Sequence, residues 1–179
     1  MYRAMNAWAR LGRVEYRVCA ALNGSSRRRP IRALFALASW LGDGKFWYGL
    51  MLALPVLAGA QGGRTAVQMA VSSLVGVLVY KLLKHSTSRE RPYVRHSTIA
   101  CAVAPLDRYS FPSGHTLHAV CLTLIALEYH PELALLLLPF TFLVMLSRMV
   151  LGLHYPTDVI AGAAIGWILA EASMLLAVR

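Results

Sequence analysis

Five apolar segments of 14 to 21 residues dominate the chain, and polar breaks separate them, of which the one between the second and third segments is a long basic loop. They cover residues 46–60, 65–83, 116–129, 133–150 and 157–177. Hydrophobic residues make up 58% of the chain and charged residues 15%, whereas soluble domains are about half apolar and about a quarter charged. A helical crossing of the bilayer needs roughly 20 mainly apolar residues. The sequence therefore predicts an all-α, polytopic membrane helix bundle with about five to six transmembrane helices.

The first 30 residues mix arginines with apolar side chains, and no window among them is apolar enough to span a bilayer. This pattern is typical of a basic amphipathic segment that lies on the membrane surface. Residues 31–41 are predicted to form a short interfacial helix that ends at Gly42-Asp43-Gly44-Lys45, and residues 61–64 a tight turn. The expected organisation is one membrane-embedded domain over residues 1–179, with the helical bundle at 31–177.

The net charge of +10 narrows the choice of partners. A soluble protein this basic would suggest nucleic-acid binding, but in a membrane protein an anionic membrane surface and an anionic substrate fit better. We therefore predict the lipid bilayer and no nucleic acid as partners. Cys19, Cys101 and Cys121 have no metal-type spacing and are interpreted as small apolar residues.

Because successive spans cross the membrane in opposite directions, several polar helix ends lie on the same face of the membrane. The second span ends at Lys84 and the third begins at Ser113. The fourth ends at Arg148, and the fifth begins near Asp158. Ionisable groups at membrane depth are costly and usually functional, so this face is the predicted active site.

The residue types in this cluster suit a phosphate. Lys84, Arg91 and Arg148 can neutralise its charge, the arginines by bidentate contacts and the lysine as a point charge. The Ser113 hydroxyl and the Gly114 N–H group add donors at the start of a helix, where the unpaired N–H groups and the helix dipole favour an anion.

The histidines supply the chemistry. Asp158 follows His154 by four residues, so its carboxylate can hold one imidazole nitrogen while the other attacks phosphorus. His115 can protonate the leaving oxygen as a general acid, whereas His118 is interpreted as structural and Arg89 as a loop or interface charge. A metal site built from His115, His118, His154 and Asp158 is the rival interpretation. Three nearby cations would repel a metal ion, so no metal and no cofactor are predicted.

At this point the sequence resembles the type 2 phosphatidic acid phosphatase and haloperoxidase superfamily. The resemblance covers residues 31–177 and is carried by three motifs: Lys84-x6-Arg91-Pro92, Pro112-Ser113-Gly114-His115 and Ser147-Arg148-x5-His154-x3-Asp158. It implies an all-helical, metal-independent phosphatase with His154 as nucleophile through a phosphohistidine, His115 as acid and Asp158 orienting His154. The remaining motif residues are then phosphate ligands, in agreement with the roles reached from chemistry.

The predicted function is hydrolysis of a phosphomonoester or pyrophosphate of a membrane lipid. Phosphatidylglycerophosphate, phosphatidate and undecaprenyl diphosphate are the candidate substrates. The alternatives are a lipid phosphotransferase that uses the same site and a non-catalytic lipid-phosphate-binding membrane protein. We expect a multi-pass protein of the inner (plasma) membrane. With five spans the arginine-rich N-terminus lies on the side of the site, which favours a cytoplasmic active site, and a sixth crossing would turn it outward.

Overall fold

The chain forms a bundle of α-helices in the computed structural model, which describes residues 2–177 and the side chains from Arg10 onward. The helices are α1 (Tyr2–Ser25), α2 (Arg29–Trp40), α3 (Phe46–Thr87), α4 (Pro92–Arg95), α5 (Gly114–Tyr129), α6 (Ala134–Val150) and α7 (Pro156–Ala177). No strand occurs among the described residues, and the predicted all-α bundle is confirmed. Residues 1, 178 and 179 of the predicted domain lie outside the described part of the chain.

Helix α3 consists of two arms that fold back on each other. Ala58 and Gly59 leave helical geometry between residues 46–57 and 60–87, and Gly59 adopts φ +57° and ψ −135°, which only glycine tolerates readily. Gly62 lies so close to the Leu54 carbonyl that a Cβ atom would overlap it. The predicted turn at residues 61–64 is therefore wrong: the chain bends at 58–59 and is helical again by Gln61. Gly59 permits the bend, whereas Gly62 permits the close approach of the two arms.

Helix α5 is the centre of the bundle. It packs most extensively against α7, and then against α3 and α6. Its Leu117, Leu122 and Ile125 are fully buried, because neighbours cover almost every side of the helix. Gly162 permits the close approach of α7, since a Cβ atom there would lie 2.6 Å from the Ser113 carbonyl oxygen. The close packing predicted from the Gly162-x-x-x-Gly166 spacing is confirmed.

Within residues 2–177, three stretches are long and apolar enough to cross a membrane: Arg29–Arg95, Pro131–Val150 and Pro156–Ala177. The first contains α2, both arms of α3 and the bends between them. The chain is a multi-pass membrane protein. The predicted interfacial helix at residues 31–41 corresponds to α2. A π-helical turn, Leu41–Lys45, joins α2 to α3, and Gly44 within it adopts φ +103°.

Helix α1 lies at the end of the bundle where α6 ends and α7 begins. The Asn23 amide donates to the carbonyls of Ala100 (2.9 Å) and Val150 (3.0 Å). The hydroxyls of Tyr16 and Thr98 lie 3.0 Å apart. These contacts attach α1 to the loops that carry the predicted site residues.

Candidate active site

A cavity of about 210 Å³ lies between the two arms of α3, the start of α5 and the loop that precedes α7. Six of the eight predicted site residues line it: Lys84, Arg91, Gly114, His115, Arg148 and His154. The other two, Ser113 and Asp158, are fully buried behind this wall. Predicted site residues that are up to 70 positions apart in the sequence thus surround one space.

Ser113 acts as the N-cap of α5. Its Oγ accepts a hydrogen bond from the Thr116 N–H group (3.4 Å) and lies 2.9 Å from the Thr116 hydroxyl. The hydroxyl, which the sequence predicted as a phosphate donor, is therefore engaged in capping the helix. The backbone N–H of Ser113 donates to the Asp158 carbonyl (3.0 Å), which ties the start of α5 to the start of α7.

Three cationic side chains converge on the cavity. Arg91 is buried and donates from Nη1 to the Leu153 carbonyl (3.0 Å). Arg148 is buried as well; its Nη1 donates to Ser39 Oγ, while its Nε has no partner among the described residues. Lys84 Nζ donates to the Tyr109 carbonyl (3.2 Å). Such a cluster provides strong charge-assisted donors for an oxyanion.

Asp107 occupies two of these cations. Its carboxylate accepts from Lys84 Nζ (2.7 and 2.8 Å) and from Arg91 Nη2 (2.8 Å). Burial alone would raise the pKa of Asp107, but the hydrogen bonds and charges of Lys84 and Arg91 outweigh it and lower the pKa. The carboxylate is therefore ionised and makes contacts that a phosphate oxygen would make. Asp107 lies outside the three motifs, and nothing in its local sequence marks it as a site residue.

The imidazole of His154 presents Nε2 to the cavity. Arg91 Nη1 lies 3.2 Å from this nitrogen. An arginine can only donate, so Nε2 is the acceptor and the proton of the neutral ring resides on Nδ1. Burial, followed by the positive charges of Arg91, Arg148 and Lys84, holds the pKa of His154 well below its ordinary value. The residue is thus a neutral imidazole whose lone pair faces the cations.

Asp158 lies behind His154, with its Oδ2 3.7 Å from His154 Nδ1. The predicted hydrogen bond between them is not formed, because this distance exceeds the usual range. His154 Nδ1 is buried and has no other hydrogen-bond partner among the described residues. The Asp158 oxygens accept instead from the Tyr155 N–H group (2.8 Å) and from Arg89 Nη1 (2.6 Å). Arg89, interpreted from the sequence as a loop or interface charge, is thus an ion-pair partner of Asp158.

His115 is in the first turn of α5, and its Nε2 lies 3.7 Å from Asp43 Oδ1. His118, interpreted as structural, has both ring nitrogens against carbonyls: Nδ1 is 2.8 Å from Gly114 O and Nε2 is 3.1 Å from Ser73 O. It thereby joins α5 to α3. Within the described part of the chain, no three His, Cys, Asp or Glu side chains are grouped closely enough to hold a metal ion.

Residues 65–179 match the family model described as "PAP2 superfamily". The decaprenylphosphoryl-5-phosphoribose phosphatase of Mycolicibacterium smegmatis is 40% identical over 83 residues, which are 45% of this chain and 43% of that protein. Undecaprenyl-diphosphatase BcrC of Bacillus subtilis is 25% identical over 120 residues, which are 67% of this chain and 62% of that protein. The chain thus spans about half the length of the curated relatives it matches.

Two crystal structures share the fold. One is the first transmembrane PAP2 type phosphatidylglycerolphosphate phosphatase from Bacillus subtilis, with a TM-score of 0.76 and 22% identity over 92% of this chain and 85% of that one. The other is LpxE of Aquifex aeolicus, with a TM-score of 0.76 and 23% identity over 88% and 93% of the two chains. At these identities the likeness concerns the fold.

Proposed function

Because the chain belongs to the PAP2 superfamily, we propose that it is a metal-independent phosphatase that acts on a phosphate or diphosphate of a membrane lipid. One observation carries the proposal: a neutral histidine nitrogen, a second histidine and three cations face one cavity. All three motifs lie within the segment that matches the family model.

The first step is binding and attack. Lys84, Arg91 and Arg148 neutralise the phosphoryl oxygens, and the N–H groups at the start of α5 add donors. The Nε2 lone pair of His154 attacks phosphorus, so that an N–P bond forms while the P–O bond to the lipid breaks. The negative charge of the bound phosphate favours protonation of His115. His115 then gives this proton to the departing oxygen. Burial of the charged groups excludes water and strengthens these interactions.

The second step regenerates the enzyme. His115, now neutral, accepts a proton from a water molecule whose oxygen attacks the phosphohistidine. The N–P bond breaks and inorganic phosphate leaves. Asp158 orients His154 through Nδ1 in both steps; the present separation of 3.7 Å must shorten as positive charge develops on the ring.

The wall of the cavity supports a lipid substrate. Trp47, Met51 and Val77 line it on the α3 side, so an acyl or prenyl chain can remain in an apolar environment while its phosphate reaches the cations. Two of the relatives act, by name, on a decaprenyl- or undecaprenyl-linked phosphate. A polyprenyl phosphate or diphosphate is therefore the first substrate to test, ahead of phosphatidylglycerophosphate and phosphatidate.

The active site faces the cytoplasm in this proposal. Helix α1 carries Arg10, Arg13 and Arg17, and its contacts with Thr98, Ala100 and Val150 attach it to the end of the bundle that holds the cavity. The concentration of arginine on this side favours the cytoplasmic face. Labelling Arg28→Cys in a Cys101→Ser background, in sealed vesicles of known orientation, tests the assignment. Labelling only from the periplasmic side would overturn it.

The activity itself is tested with purified protein in detergent and a panel of lipid phosphates. We expect phosphate release that survives EDTA and is lost in His154→Ala, with ³²P retained on acid-labile histidine in the wild type. His85→Ala is the control, because His85 is exposed and makes no side-chain contact with the cavity residues. Loss of activity on chelation, or an active His154→Ala variant, would refute the mechanism. Transfer of the label to a second lipid instead of water would identify a phosphotransferase.

A further inference from the structure

An ion-pair network joins α1 to the start of α7. Arg89 is its centre: Nη1 donates to Asp158 Oδ1 (2.6 Å), and Nη2 donates to Glu15 Oε2 (2.7 Å). Arg89 Nη1 also donates to the Thr157 hydroxyl (2.7 Å). Glu15 and Asp158 are both buried. The network thus connects residue 15 with a carboxylate that lies against the proposed nucleophile.

Glu15 makes a second set of contacts. Its Oε1 accepts from the backbone N–H of Thr157 (3.3 Å) and from the Thr157 hydroxyl. Thr157 is the second residue of α7, so this N–H has no partner within its own helix. A carboxylate at that place satisfies the N–H group and interacts favourably with the helix dipole. Glu15 therefore caps, from a different helix, the turn that carries Asp158.

A buried carboxylate such as Asp158 requires a counter-charge and a full set of hydrogen bonds. Arg89 supplies the charge, and the Tyr155 N–H group occupies the other oxygen. With both oxygens held, the carboxylate cannot rotate freely, and its distance to His154 Nδ1 is determined by Arg89 and by the position of the α7 start. Glu15 holds both of these.

We propose that Arg89 and Glu15 are positioning residues for the reaction, and that α1 is consequently part of the catalytic unit. They act through Asp158 on the orientation of the His154 imidazole, without contacting the substrate. Glu15 lies outside residues 65–179, the segment that matches the family model, so this contribution comes from the part of the chain without a family match. The inference rests on the proposed phosphatase activity.

The test compares Glu15→Gln with Glu90→Gln, the same chemical change at an exposed carboxylate beside Arg89. Both are measured for kcat, KM and affinity for inorganic phosphate. We expect kcat to fall by at least about tenfold in Glu15→Gln, because small misplacements of reacting groups are costly. KM and phosphate affinity should stay within about twofold of wild type, because Lys84, Arg91 and Arg148 remain unaltered. Glu90→Gln should behave as wild type.

A second pair of variants, both at Arg89, tests the same positioning role if Glu15→Gln does not fold. Arg89→Lys keeps a cation near Asp158 and should retain more kcat than Arg89→Gln, with phosphate affinity unchanged in both. Equal kcat in the two Arg89 variants, or a Glu15→Gln variant with wild-type kcat, would overturn the positioning role while the phosphatase assignment stands. A wild-type protein that releases no phosphate from any lipid would overturn both.

Discussion

Replacing Gly162 by alanine tests how closely the start of α5 must pack against α7 for activity. A Cβ atom at this position would lie 2.6 Å from the carbonyl oxygen of Ser113, whereas ordinary contacts begin at 3.4 Å. The same methyl group would be 3.2 Å from Thr116 Cβ. The obstacle is backbone, which cannot rotate away as a flexible side chain can. The start of α5 must therefore move by about 0.8 Å, the difference between the two distances.

The expected cost follows from this displacement. Overpacking of a buried contact costs about 1–3 kcal/mol, and alanine returns up to about 1 kcal/mol of helix propensity relative to glycine. The net loss of stability is about 0–3 kcal/mol. The effect on activity is larger, because His115 follows Ser113 by two residues and misplacement by about 1 Å can cost about a hundredfold in rate. We expect kcat to fall by about tenfold to a hundredfold.

The assay measures kcat against a lipid phosphate together with the thermal midpoint in detergent. Gly63→Ala is the matched control: it makes the same change within a helix, and no atom lies within 4 Å of the added Cβ. It should keep full activity and gain slightly in stability. Gly162→Ala with activity within about threefold of this control would refute the reasoning, since the shift of α5 would then be harmless.

Two further outcomes are expected. Asp107→Asn should lower the inhibition constant of inorganic phosphate by about tenfold or more, because the carboxylate that occupies Lys84 and Arg91 is removed. Weaker inhibition by phosphate in this variant would mean that Asp107 organises the two cations instead. The acid limb of kcat/KM, corrected for titration of the substrate phosphate, should lie well below pH 6.5. Burial and the surrounding cations lower the pKa of His154, so the neutral nucleophile persists as the pH falls. An acid limb near pH 6.5 would show that the pKa of His154 is not lowered.

Much of the fold was predictable, because membrane helices have to be long, apolar and separated by polar breaks. The ends of α5, α6 and α7 were predicted to within about two residues. The bend in α3 was not. Gly59, Gly62 and Gly63 lie within five residues, and each is a plausible turn residue by sequence. Which one bends the chain depends on how closely the two arms pack, and that is a tertiary effect.

The candidate site was predictable in part for a related reason. Successive spans cross the membrane in opposite directions, so every second helix end lies on the same face. The topology therefore places Lys84, Arg148 and His154 together. Arg89 carries no such signal, because nothing in the local sequence distinguishes it from Arg95. Glu15 is 74 residues from its ion-pair partner. The small number of acidic residues was a weaker indication that Glu15 has a function. The chain has only eight Asp and Glu residues, and half of them surround this site.

The balance of charge around the cavity bears on how the substrate enters. Among the described side chains in and behind the cavity, four cations face four carboxylates: Lys84, Arg89, Arg91 and Arg148 against Glu15, Asp43, Asp107 and Asp158. A phosphomonoester brings a further charge of about −1.5 to −2, and cations that are already paired with carboxylates cannot neutralise it until a carboxylate withdraws. Glu15 and Asp158 are buried, whereas the side chains of Asp43 and Asp107 are 34% and 37% exposed. Asp43 lies near His115, and Asp107 belongs to the loop between α4 and α5. Asp107 is also the carboxylate that holds the phosphate ligands, so we expect the substrate phosphate to replace it on Lys84 and Arg91 as the loop moves aside.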